Sequence, residues 1–372
     1  KRNLIVLVLL LVAYLLAWPV SIQPQAWEPP QAPSLDEGPY ARNDKLRAVQ
    51  RLADGGVSGP EAIAFDAAGR LYSGLEDGRV ISMREDGTDC RVLGNTGGRP
   101  LGLVLDADGG LLIADAKRGL LRLAPDGQIT TVSTFVDGIQ LGFADDLAID
   151  ARGRVLLSDA SWKFGYGEHI DDALEHGGRG RLLLVDPASG DGATLMANLQ
   201  FANGVTLGPE GQYVLVNETT AYRIRRYWLA GEKAGTSDVF AENLPGFPDN
   251  LTFNGHDRFW VALYGPRDAL LDALAPHPQW RLIMARLPKF LRPRPQAQGF
   301  ILGLDLHGKL VEQYQYDGDG AFGPVTSVRE HQGALYLGSL SDRAIGRVSL
   351  AELRKPGPGS PPPAPVASAC RS

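Results

Sequence analysis

Sulfur and basic charge are both scarce in this 372-residue chain. It has two cysteines, three methionines and six histidines, with 37 Lys and Arg set against 43 Asp and Glu. Two cysteines, Cys90 and Cys370, are too few for a zinc cluster or a disulfide framework. A net charge of −6 leaves no broad electropositive field and argues against a nucleic-acid-binding surface. No Gly-x-Ser-x-Gly elbow occurs, so the usual serine-hydrolase route is closed. Gly318–Gly323 fits a dinucleotide pattern only formally, because it leads into a strand. Asp106-Ala107-Asp108-Gly109 opens like a calcium loop, but Lys117 stands at the last ligand position and the segment reads as a hairpin turn. What is plentiful is glycine (45) and proline (26), the composition of many short strands and turns rather than a helical bundle.

The two ends differ from the middle. After Lys1-Arg2-Asn3, residues Leu4–Val20 carry no charge. As a helix this 17-residue run would span roughly 26 Å, near the lower limit for crossing a bilayer. Residues 1–22 are therefore predicted to be a transmembrane signal anchor, with a cleaved signal peptide as the competing reading. The anchor reading leaves Lys1 and Arg2 cytoplasmic and makes a single-pass membrane protein with its bulk on the extracytoplasmic side. Residues 23–48, rich in proline, read as a spacer, and 353–372 as a disordered Pro-rich tail. Cys90 and Cys370 could pair in an oxidising compartment, although Cys370 lies in that tail.

Between these ends one motif returns six times. Its copies are GPEAIAFDAAGRLYSG from Gly59, RPLGLVLDADGGLLIAD from Arg99, FADDLAIDARGRVLLSD from Phe143, FANGVTLGPEGQYVLVN from Phe201, FPDNLTFNGHDRFWVAL from Phe247 and GPVTSVREHQGALYLGS from Gly323. Each is an apolar strand, a turn and a second apolar strand, with further strands following. Six such copies predict an all-β six-bladed β-propeller over residues 49–352.

Counting eight residues back from each turn reaches Glu61, Leu101, Asp145, Asn203, Asp249 and Val325. The position begins the innermost strand of each blade, so these side chains are predicted to converge at one mouth of the central channel. Four are oxygen donors. Three carboxylates so close repel one another unless a cation sits between them. An all-oxygen set without Cys or His suits Ca2+ better than Mg2+, and Asn250 could add a further carbonyl. Taken singly, the same residues are also ordinary turn-favouring caps.

At these positions the chain resembles the strictosidine-synthase-like and senescence-marker-protein/gluconolactonase group of six-bladed propellers, which includes the paraoxonases. The resemblance is carried by FANGV (Phe201–Val205), NETTAYRIRRYWL (Asn217–Leu229), LPGFPDN (Leu244–Asn250) and LYLGSL (Leu335–Leu340), and it spans nearly all of 45–352. It implies calcium at the channel mouth and, for several members, hydrolysis of lactones or aryl esters. Glu61, Asn203 and Asp249 match the group's metal ligands, and Asn250 an additional one. Asp145 stands where the group usually has Asn, before Asp146. Leu101 stands where paraoxonases place a catalytic His. Phe322-Gly323-Pro324-Val325 lacks the carboxylate of strictosidine synthase itself, which disfavours amine–aldehyde condensation.

The function expected on these grounds is calcium-dependent hydrolysis of a lipophilic ester or lactone, with water attacking a metal-polarised carbonyl. Asp249 or Asp145 would serve as base and His169 as an outer proton carrier. Two insertions, Trp162–Gly178 and Tyr264–Gln298, should return to the mouth. The second carries Trp280 and Phe290 with the basic residues Arg267, Arg281, Arg286, Lys289, Arg292 and Arg294, which reads either as a lid that touches membrane or as a helix with a solvated basic face. The alternative function is a non-catalytic, membrane-tethered propeller with structural calcium that binds a partner.

Overall fold

The computed structural model describes residues 1–292 and 298–371. Six four-stranded antiparallel sheets form the body. Their innermost strands are Ala64–Phe65, Pro100–Leu105, Ala144–Ile149, Ala202–Leu207, Gly246–Phe253 and Ser327–His331, in blades 1 to 6. The six-bladed propeller expected from the repeat is what the chain forms. Strands buried on both faces are almost wholly apolar, as Leu111–Asp115 and Gly299–Leu304 illustrate, and facing sheets bury apolar clusters between neighbouring blades.

The sixth blade is completed by a strand from the other end of the chain. Gln50–Leu52 pairs antiparallel with Ile345–Ser349 and forms that sheet's outer edge. The repeat did not reveal it, because three residues carry no periodicity.

The first helix, α1, covers Arg2–Ala17 and is shorter than the uncharged run suggested. Trp18 is extended (φ −62°, ψ 132°), since Pro19 disfavours helical backbone at the residue before it. Sixteen residues span only about 24 Å, and among the described residues no helix is long and apolar enough to cross a membrane. The expected transmembrane anchor is therefore not found in this structure.

The segment read as a spacer is instead a strap on the propeller. Gln25 N–H donates to the Glu175 carbonyl (2.8 Å), Trp27 N–H to that of Ala275 (3.3 Å), Arg267 Nη2 to that of Pro30 (2.6 Å) and Asn243 Nδ2 to that of Gln31 (3.0 Å). The tail, expected to be loose, is also held. Cys90 and Cys370 form a disulfide, and Val366 and Arg371 make parallel bridges to Leu52 and Arg91.

Candidate functional site

Both insertions rise at the pocket end of the propeller, each between the second and third strands of its blade. The first carries α2 (His169–Glu175) and the second α3 (Ala269–Leu274) and α4 (Pro278–Arg286). Asp268 caps α3 by accepting from Leu271 N–H (2.8 Å), and Pro278 starts α4 where its missing N–H leaves no donor unpaired. α4 packs on both α2 and α3. Beneath them lies a cavity of about 300 Å³.

The cavity floor contains Glu61, Asp145, Asn203 and Asp249, so the structure brings together the four oxygen-bearing residues expected from four blades. All are buried; Glu61 is 1% exposed. Their convergence has a local cause. The pairing register slips between Ala144 and Leu147, between Ala202 and Val205, and between Pro248 and Leu251, so Asp145, Asn203 and Asp249 each sit in a bulge of their inner strand, while Glu61 lies just before Ala64–Phe65. A bulge bends the strand and re-aims a side chain, here towards the axis. Adjacent inner strands also approach closely: a Cβ on Gly204 would lie 2.5 Å from Asn250 Cα.

Leu101 lines the same floor, whereas Val325 is buried outside the cavity. Asn250 lies below. It lines a second channel cavity with Asp146 and Arg329, yet its Nδ2 donates to Glu61 Oε1 at 2.5 Å. Asp146 braces the adjoining strand as well as lining that lower cavity, accepting Val205 N–H at 2.8 Å. His169 lines the cavity from the first turn of α2, on the roof rather than the floor. Arg294 falls outside the described residues.

The electrostatics of the floor are those of uncompensated acids. Burial raises the Glu61 carboxyl well above its usual range, and Asp249 and Asp145 raise it further while Arg99 opposes them. Asp145 is raised by burial, then by Asp249 and Asp146. Burial also raises Asp249, against a hydrogen bond from the Asn203 side chain. Tyr264, beside them, is pushed up to about 12 by burial and by Asp249. The two amides thus turn their N–H groups to the carboxylates. This leaves Glu61 Oε2, Asn203 Oδ1 and Asn250 Oδ1 buried without hydrogen-bond partners. Among the described residues no group of three or more His, Cys, Asp or Glu side chains stands in a metal-holding arrangement. The expected ligand shell is therefore gathered but not closed, with amide N–H groups on two of its carboxylates.

The walls were not anticipated. Phe143, Phe201 and Phe247 stand two residues before Asp145, Asn203 and Asp249 and line the cavity with Tyr166 and Tyr264. Phe143 and Phe201 meet edge to face at 5.4 Å. The signal was present in the repeat, since three of its six copies begin with Phe.

Comparison with known proteins matches the strictosidine synthase family over residues 145–232 and the N-terminal region of strictosidine synthase-like proteins over 38–83. Strictosidine synthase-like 3 of Arabidopsis thaliana is 34% identical over 314 residues, covering 76% of this chain and 80% of its own. Human adipocyte plasma membrane-associated protein is 31% identical over 358 residues, covering 90% and 85%. Among solved structures, a gluconolactonase from Xanthomonas campestris superposes with a TM-score of 0.58 at 17% identity, covering 90% of this chain and 99% of that one. A calcium-binding regucalcin from Agrobacterium tumefaciens gives 0.55 at 14%, covering 86% and 96%. At these identities the two structures speak for the fold alone.

Proposed function

The chain belongs to the strictosidine synthase-like family, and from that premise we propose that it is a calcium-dependent hydrolase of lactones or aryl esters. The observation that carries this reading is an apolar cavity floored by three buried carboxylates and by amide oxygens without partners. The names of the gluconolactonase and regucalcin neighbours support it. The donor set fits a hard cation. Glu61, Asp145, Asn203 and Asp249 offer oxygen only, and turning the Asn203 and Asn250 amides would present the two unpartnered oxygens. When bound, calcium would polarise the substrate carbonyl and neutralise the floor.

The chain's own residues account for the remainder. Asp249 accepts the proton of the attacking water, with Asp145 as the other candidate base. Tyr264 keeps its proton throughout the physiological range and is available as a donor beside the floor. The Phe143, Phe201 and Phe247 rings exclude water and hold the apolar part of a lipophilic ester or lactone. His169 on the roof is placed to pass protons outward. No Lys or Arg side chain lines the cavity among the described residues, which favours neutral substrates over anionic ones. The short apolar α1 and the membrane-associated relatives support a propeller held at a membrane, and the Cys90–Cys370 disulfide supports an oxidising, extracytoplasmic side.

A second reading is a tethered binding module with structural calcium. The observation that favours it is Leu101 on the floor, an apolar group where a proton acceptor would serve hydrolysis. Turnover of phenyl acetate and of a γ- or δ-lactone, each with calcium and with chelator, separates the two. Calcium-dependent turnover is expected. Background rates together with a calcium-raised Tm would establish the binding module instead.

A further inference from the structure

Large apolar side chains left exposed on the propeller are gathered at one end. Phe135, Ile139, Trp162, Trp280, Phe290 and Leu291 all belong to connections at the pocket end of blades 2, 3 and 5. Trp280 is 59% exposed and Phe290 68%. Away from that end, the exposed large apolar side chains among the described residues of the propeller are Val239 and Val311, each on an outer strand.

Helix α1 is fixed to the same end. Tyr14 Oη donates to the Arg286 carbonyl (2.8 Å), and Arg286 donates to the carbonyls of Trp18 (2.6 Å) and Leu15 (3.0 Å). α1 therefore packs against α4, the helix that backs the roof. From Leu4 to Val12 every side chain of α1 is exposed and apolar, on all sides of the helix. A helix apolar all round needs an apolar medium, and this one packs on α4, the helix that carries the exposed Trp280.

Among the described side chains, the arginines of the roof are already used. Arg267 pairs with Asp272 and Arg292 with Asp171, both at 2.9 Å. Arg281 is buried against the carbonyls of Leu174, Ala275 and Gln25, and Arg286 is held by α1. Among the described side chains the face offers apolar area with aromatic rings and no row of free cations seeking anionic headgroups. Exposed tryptophans flanking an apolar helix suit the boundary between lipid headgroups and acyl chains.

We infer that the pocket end of the propeller is a lipid-contacting face, in which α4 and the Lys289–Leu291 turn lie in the bilayer interface beside α1 and the pocket opens towards lipid. For what enters the pocket this rests on the hydrolase reading; the contact itself does not. An apolar substrate dissolved in the bilayer would then reach the floor without crossing bulk water.

The test is spin labelling of the full chain in phosphatidylcholine nanodiscs. Trp280→Cys, Phe290→Cys, Val239→Cys and Val311→Cys are each labelled while Cys90 and Cys370 stay paired, and collisions with oxygen and with a water-soluble nickel chelate are compared. Labels at 280 and 290 should favour oxygen several-fold over those at 239 and 311, equally with or without added phosphatidylserine. Aqueous labels at 280 and 290 beside an immersed label in a Leu9→Cys variant would mean that α1 alone touches lipid, and the inference fails. Immersion that requires phosphatidylserine overturns it too, because the contact would then be one of charge. Immersion without any hydrolysis leaves the lipid face standing and removes the hydrolase reading.

Discussion

Asn250 reaches across the channel to Glu61, its amide N–H group on a carboxylate contributed by another blade. The bond joins blade 5 to blade 1 in a buried setting, and Asn250 Oδ1 and Glu61 Oε2 are left without partners on either side of it. A donor of this kind relieves one carboxylate only in part. Burial and mutual repulsion still hold Glu61, Asp145 and Asp249 above their ordinary range.

Calcium should stabilise the propeller, and Asp249→Ala should abolish that stabilisation together with turnover. At a concentration of 100 Kd the gain expected from mass action is about 2.7 kcal/mol. Because protons compete for raised carboxylates, the calcium-induced rise in Tm should shrink as the pH falls. Calorimetry with and without chelator between pH 5 and 8 measures both. Turnover retained in Asp249→Ala would remove its role as base.

Arg281→Met should loosen the strap. Its guanidinium donates to Leu174 and Ala275 carbonyls at 3.0 and 2.9 Å and also to Gln25, tying both insertions to the N-terminal segment. The buried Leu174 carbonyl would be left unpaired and the Ala275 carbonyl would keep only Trp27 N–H, a loss of about 2 kcal/mol. Faster protease cleavage within 20–31 and a lowered Tm are the expected readouts; unchanged cleavage would show that the strap is held by its other bonds.

Cys90→Ser should lower stability by roughly 2–4 kcal/mol while leaving turnover at low temperature intact. Cys90 lies in the turn after the third strand of blade 1, at the end away from the pocket, and fixes the tail there. Tm under oxidising and reducing conditions, for parent and variant, separates the disulfide from the substitution.

Asp172 on α2 gives the chain a pH dependence of its own. Burial raises its carboxyl to about 7, with Ser161 bonding against the shift and Glu175 adding to it. The folded state therefore holds a proton that the unfolded chain releases near pH 4. The resulting stability is complete below about pH 4 and is lost as the pH rises towards 7. Asp172→Asn keeps an acceptor for Ser161 and no longer ionises. Above pH 7 it should exceed the parent by a few kcal/mol, converging with it near pH 4. Parallel Tm curves for the two across that range would refute the buried-acid account.

The repeat made the blades and the floor legible because propeller geometry repeats with the chain: an alignment on the turns finds Glu61, Asp145, Asn203 and Asp249 at once. What escaped depends on partners distant in sequence. The bonds of Gln25 and Trp27 run to Glu175 and Ala275, and nothing periodic announces them. Pro19 is different. It stood in plain view behind the apolar run, and its restriction on Trp18 shortens the helix below what a membrane span needs. Phe143, Phe201 and Phe247 were equally visible, but aromatic residues read first as core.

Blade 6 is finished by Gln50–Leu52, so ring closure waits until the last strand has been made. Until then Glu61 and Asp249 belong to separate, unjoined parts of an open arc. Confronting the floor carboxylates is thus the work of the final docking event, and a divalent ion held there would act as a latch for the whole circle, resisting the reopening of its one seam.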